Sequence, residues 1–147
     1  PAYRQVQYLR STLNSIAQQD YQDLEIILSD DSPDRQVQDL LNEFSFGERC
    51  RYVRNVPSLG SPENWNAAVR LARGDYIKML HHDDGFIRPD ALWQFVHMLD
   101  QNPQADFAFA ASRVDHVDAG RQRIHRATPE QIERLRNEPA TLFLGNC

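Results

Sequence analysis

The stretch LEIILSDDSPD, residues 24–34, decides the fold. Leu24 to Ser29 is a short run rich in β-branched side chains, which reads as a strand. It stops at two adjacent carboxylates, Asp30 and Asp31. On its amino side, Val6, Leu9, Leu13 and Ile16 recur at helical spacing and predict a helix over 5–19. On its carboxyl side, Val37, Leu40, Leu41 and Phe44 lie on one face of a second expected helix, 34–46. A strand between two amphipathic helices is the unit from which parallel sheets are built.

The same alternation runs on. Arg51–Val53 reads as a short strand. Ser61-Pro62-Glu63 opens a helix, with serine as the expected N-cap and proline at the first position; Gly74 stops it. Asp75–Leu80 reads as a strand, and Pro89-Asp90 opens a helix to about residue 100. Asp106–Val114 is an expected strand, with a turn at 118–120 and a return over 122–126. Thr128-Pro129-Glu130 starts a last helix, ending near Arg136. The order α-β-α-β-α-β-α-β implies a mainly parallel sheet with right-handed crossovers. Ligands of such sheets bind beyond the carboxyl ends of the strands.

Two expected strands end in acids: 24–29 at Asp30-Asp31, and 75–80 at His81-His82-Asp83-Asp84. Both pairs are expected on one sheet edge, facing one crevice. Asp-Asp pairs also serve as turn formers and helix caps, and that use competes for the first pair. Four polar groups directly after an apolar run exceed what a turn needs. Two carboxylate clusters at one crevice suit a hard cation, or a sugar with several hydroxyls. Magnesium and manganese take oxygen ligands, often one or two carboxylates plus substrate phosphates.

Composition narrows the partners. The chain has 147 residues, a formal net charge of −5, 41% hydrophobic and 25% charged residues. Its basic residues are scattered among acids, so nucleic acid is not an expected partner. No run approaches the ~18 apolar residues of a membrane span, and no signal-peptide pattern opens the chain. Cys50 and Cys147 have no metal-ligand spacing and read as thiols, which fits a reducing compartment. The chain starts at Pro1, and its only methionines are Met79 and Met98. Both ends are expected to be cuts, leaving a single partial domain over 1–147.

Order and spacing together resemble one family. Pro1, Tyr3, Leu9, Leu13, Ser15-Ile16, Gln19, Tyr21, Glu25-Ile26-Ile27, Asp30-Asp31 and Asp34 follow the opening of the family 2 glycosyltransferases. Asn55, Gly60, Asn66, Ala72, Gly74, Tyr76-Ile77 and Leu80 follow its next section, ahead of the acids and Pro89-Asp90-Ala91-Leu92. The resemblance implies a GT-A-like nucleotide-binding fold, α/β with a mainly parallel central sheet flanked by helices, here truncated at both ends. It implies glycosyl transfer (hexosyl or related) from a nucleotide-sugar, expected to be a UDP-sugar. Transfer would invert the anomeric carbon and depend on a divalent cation, Mn²⁺ or Mg²⁺. The acceptor would be an unspecified saccharide, lipid or protein, in polysaccharide or glycoconjugate synthesis.

By the same resemblance Pro1 and Tyr3 lie beside the nucleotide base, and Asp30 or Asp31 holds the uracil or ribose. The family's acidic D-x-D site falls on His82-Asp83-Asp84, counting back from Pro89, with histidine in place of its first aspartate. His82 and Asp84 would then serve the metal and Asp83 the ribose. A second register, His81-His82-Asp83, moves the metal to Asp83. The family's first strand would precede Pro1, and the catalytic base would lie beyond residue 147. A missing interior strand implies exposed strand edges and self-association. The implied location is cytoplasmic, including the cytoplasmic face of a membrane.

Two other classes compete. A receiver-like signalling module also gathers acids at strand ends, but it needs a lysine ending a later strand. Lys78 is the only lysine and lies inside its expected strand. A nucleotidyltransferase on a related fold matches the motifs less well. Zinc would need three or four converging ligands, which the sequence does not supply. Trp65 and Trp93 are expected in the core, His97 in a structural role, and Arg121, Arg123 and Arg126 on a solvated hairpin.

Overall fold

The computed structural model describes residues 1–116 and 119–138. It divides into two compact units, Pro1–Pro103 and a second from Gln104.

The first unit is built on a parallel pair. Strand β1, Ile26–Asp30, runs beside β2, Cys50–Arg54, in a register that sets Leu28 opposite Tyr52 and Asp30 opposite Arg54. Helix α1, Val6–Ala17, precedes β1; helix α2, Gln36–Leu41, and a short 3₁₀ turn, Gly47–Arg49, join β1 to β2. The apolar stripe read from the sequence is the core. Leu9 and Leu13 of α1, Leu28 of β1, and Val37 and Leu40 of α2 are buried together with Ala2 and Phe46. Burying one such leucine contributes about 1.5–3 kcal/mol. Ala2 meets the second edge of β1: its N–H donates to Ser29 O at 2.8 Å, and its carbonyl accepts from Asp31 N–H at 3.0 Å. The parallel strands and flanking helices are the α/β class that the sequence indicates.

Several expectations are corrected. Residues 75–80 form no strand. A strand exists through its ladder, and no strand among the described residues pairs with this segment. The tyrosine that looked like a strand residue is exposed, and its hydroxyl donates to Asp100 at 2.8 Å. Helix α2 ends at Leu41 rather than Phe46, because the next turns tighten: Glu43 and Phe44 donate to the carbonyls three residues back. Helix α3, Glu63–Leu71, has Pro62 at its cap, and no side chain caps it. Its first N–H groups donate instead to the Gly60 and Pro62 carbonyls. Helix α4, Ala91–Asp100, exposes Trp93, which stacks on His97 at 4.8 Å. Trp65 of α3 is likewise exposed at 38%.

In the second unit, β3, Ser112–His116, pairs antiparallel with β4, Arg121–His125. The strand thus starts later than the expected 106. Arg121, Arg123 and Arg126 are solvent-exposed, as the sequence suggests. Helix α5, Pro129–Asn137, opens with the expected cap. Gln131 N–H donates to Thr128 Oγ1, and Thr128 N–H donates to the Gln131 side chain at 2.7 Å. No described helix is long and apolar enough to cross a membrane. Cys50 is a free, half-buried thiol; Cys147 lies outside the described residues.

Candidate functional site

β1 ends in a buried polar run. Ser29, Asp30, Asp31 and Ser32 are each 4% exposed or less. Buried carboxylates need partners, and both have them. Asp30 accepts from the Tyr52 hydroxyl at 2.8 Å and from Ser32 N–H at 2.9 Å. Burial first, and then the neighbouring Asp30 carboxylate, push the Tyr52 hydroxyl pKa up to about 12. Asp31 accepts from the Asn55 amide at 2.8 Å, Leu59 N–H at 3.2 Å and Gly60 N–H at 2.7 Å. Gly60 has φ +74°, a conformation open to glycine, which aims its N–H at the carboxylate. Burial is the largest influence on Asp31 and raises its pKa. The Asn55, Leu59, Gly60 and Ser58 donors together outweigh it and hold the carboxyl below its ordinary range.

The first turn of α3 carries this network onward. Asn64 is buried; its amide donates to Ala2 O at 3.2 Å, and its carbonyl oxygen accepts from Asn55 at 3.1 Å. The next residue, Trp65, meets the His81 ring edge-on at 4.7 Å. One helical turn therefore touches both regions that the sequence singled out.

His81-His82-Asp83-Asp84 is a tight turn, closed by Asp84 N–H donating to His81 O at 3.1 Å. It is held by its backbone. The buried Thr12 of α1 sets its hydroxyl 2.6 Å from Asp84 O and 3.0 Å from His82 O. Ser15 Oγ accepts from Phe86 N–H at 3.1 Å. The buried Gln19 donates to Arg88 O at 2.8 Å and accepts from Leu92 N–H at 3.0 Å. The Asp83 and Asp84 side chains stay exposed.

The candidates thus fall into two groups. Pro1, Tyr3, Asp30 and Asp31 gather at the carboxyl end of β1 through Ala2. Tyr3 is 46% exposed, with the Arg4 guanidinium 5.1 Å above its ring. His82, Asp83 and Asp84 share the turn, but α1 positions them, not a strand. No three His, Cys, Asp or Glu side chains among the described residues gather for a metal. Sequence reasoning missed Thr12, Tyr52 and Asn64. A signal for Thr12 exists: a polar residue between Leu9 and Leu13 on an apolar helix face.

Comparison with known proteins gives this geometry a context. The sequence model of the family described as Glycosyl transferase family 2 matches residues 1–145. An uncharacterized glycosyltransferase of Haemophilus influenzae is 27% identical over 120 residues, 82% of this chain and 40% of that protein. An uncharacterized protein of Mycobacterium tuberculosis is 30% identical over 138 residues, 93% of this chain and 42% of its own length. An uncharacterized glycosyltransferase of Methanocaldococcus jannaschii is 28% identical over 128 residues, 86% of this chain and 43% of its own. The chain spans about two fifths of the length of these relatives.

Proposed function

Because this chain belongs to glycosyl transferase family 2, we propose that it is the donor-binding part of a sugar-transferring enzyme. The donor is a UDP-sugar, and the acceptor a saccharide, lipid or protein in glycan synthesis. The family match sets aside the signalling-module and nucleotidyltransferase readings. The observation that carries the proposal is the division of labour in the acidic turn: its backbone is tied down while Asp83 and Asp84 stay exposed.

In this reading the nucleotide lies over the carboxyl end of β1. Pro1 and the exposed Tyr3 ring flank the base. Asp31, whose oxygens already accept from Asn55, Leu59 and Gly60, would offer its remaining acceptor capacity to the uracil or ribose, while the fully enclosed Asp30 holds Tyr52 and Ser32 and so shapes the floor. Asp83 turns to the ribose. The divalent ion is the less direct part. Two exposed carboxylates and one imidazole on a fixed turn suit Mn²⁺ or Mg²⁺ only with ligand phosphates completing the shell. Among the described residues no three-ligand cage stands ready. Asp84 with His82 would hold the ion; when bound, it supplies positive charge to the diphosphate leaving group. Inverting transfer also needs a base near the acceptor hydroxyl. We place that base in the further length that the relatives possess, with 1–147 as one donor-binding portion, in the cytoplasm or at the cytoplasmic face of a membrane.

The test is a transfer and hydrolysis assay of the longer protein with radiolabelled UDP-sugars. Turnover of at least one is expected. Turnover confined to sugars on another nucleotide would contradict the UDP assignment, and no turnover or binding of any nucleotide-sugar would contradict the function.

A further inference from the structure

The acidic turn is fixed by a polar stripe on a helix far from it in sequence. Thr12, Ser15 and Gln19 are spaced three and four residues apart, so they lie on one face of the α1 region. Each reaches the backbone of 82–92, in order. Thr12 Oγ1 meets His82 O and Asp84 O, with Tyr8 O at 3.2 Å as a third acceptor for its one hydrogen. Ser15 Oγ donates to Thr12 O at 2.7 Å and accepts from Phe86 N–H. A Cβ on Gly85 would lie 3.2 Å from Ser15 Oγ, so helix and turn touch closely there. Gln19 holds the Arg88 carbonyl and the Leu92 N–H, and Asp20 N–H donates to Pro89 O at 2.8 Å.

All these bonds go to main-chain atoms. They fix where Asp83 and Asp84 stand and leave both carboxylates exposed, with Asp84 Oδ2 accepting only a long bond from His81 N–H at 3.4 Å. Resting on the donor-site reading above, we propose that Thr12 and Ser15 are positioning residues. They set the divalent-cation affinity of the Asp83-Asp84 turn without touching the ion or the nucleotide. Outer partners that orient metal ligands commonly change metal affinity by about 10- to 100-fold when removed.

The experiment is calorimetry of UDP binding to the full chain, with Mn²⁺ and with chelator, for the parent, Thr12→Val and Thr12→Ser. Valine keeps the β-branched shape and removes the hydroxyl; serine keeps the hydroxyl. Thr12→Val is expected to lose about tenfold or more of the Mn²⁺-dependent gain, to weaken UDP in chelator by much less, through Asp83, and to be rescued by Thr12→Ser. An equal loss in chelator would reduce Thr12 to a structural residue and overturn the proposal. An unchanged gain in Thr12→Val, with a clear gain in the parent, would overturn it alone. A parent with no gain would overturn the metal reading of the donor site and this inference with it. Amide exchange on the metal-free chain checks the contact separately: Ser15→Ala should speed exchange at Phe86, and an unchanged rate would count against the stripe.

Discussion

Asp83 and Asp84 are neighbours on one turn, both exposed, and neither is paired with a cation in a described salt bridge. Their roles separate by substitution. Asp84→Asn keeps the size and removes the charge that would face a dication. Calorimetry of UDP should then show no Mn²⁺-dependent gain, whereas Asp83→Asn should weaken UDP with and without Mn²⁺. The reverse pattern would move the metal to Asp83, one residue along. Asp31 makes a different prediction. Its carboxyl is held below the ordinary 3.8 by the donors that outweigh its burial. Its stabilisation is therefore fully present above that ordinary value and is lost as pH falls through the lower folded value. Asp31→Asn should cost about 1.5–3 kcal/mol at neutral pH, the range for hydrogen bonds to charged groups. In urea unfolding the gap from the parent should narrow below about pH 4. A gap that stays constant down to about pH 3 would mean that the charge does not hold the 55–60 loop.

At the scale of elements, α1 and the turn after it serve two partners: Leu9 and Leu13 enter the core, and Thr12 and Gln19, equally buried, hold 82–92. Gln19→Leu keeps similar bulk but strands the Arg88 carbonyl and the Leu92 N–H. Urea unfolding should show a loss of about 1–3 kcal/mol for each group left unpaired inside; a loss under about 0.5 kcal/mol would mean that water takes over those bonds. The apolar stripe of α1 was legible because helical periodicity is local. So were β1, β2 and the Thr128 cap, whose signals lie within a few residues. The fate of 75–80 was not legible. An apolar run states a preference for burial, but strand pairing is settled by a neighbour, and no neighbour is written in the run itself. Asp30 and Asp31 show the same limit at the candidate site. Their place at a strand end was readable; that Tyr52, Asn55 and Gly60 would occupy their oxygens depends on contacts over 20 residues apart. The acidic turn was found for its composition, and its anchor on α1 depends on contacts 70 or more residues apart.

For the molecule as a whole, the proposal assigns donor binding to this chain and acceptor activation to length that the relatives have beyond it. Residues 1–147 alone should bind nucleotide and transfer no sugar, while the longer protein transfers. Radiolabelled transfer with both would show it, and full turnover by the short chain would place the base within it, with His81 and His82 the first to examine. The most direct measurement is simpler. UDP is titrated calorimetrically into this chain in Mn²⁺ and again in chelator. The account predicts saturable binding at one site that is clearly tighter with Mn²⁺. Equal affinity in both solutions would remove the metal from the acidic turn, and no binding in either would contradict the donor site itself.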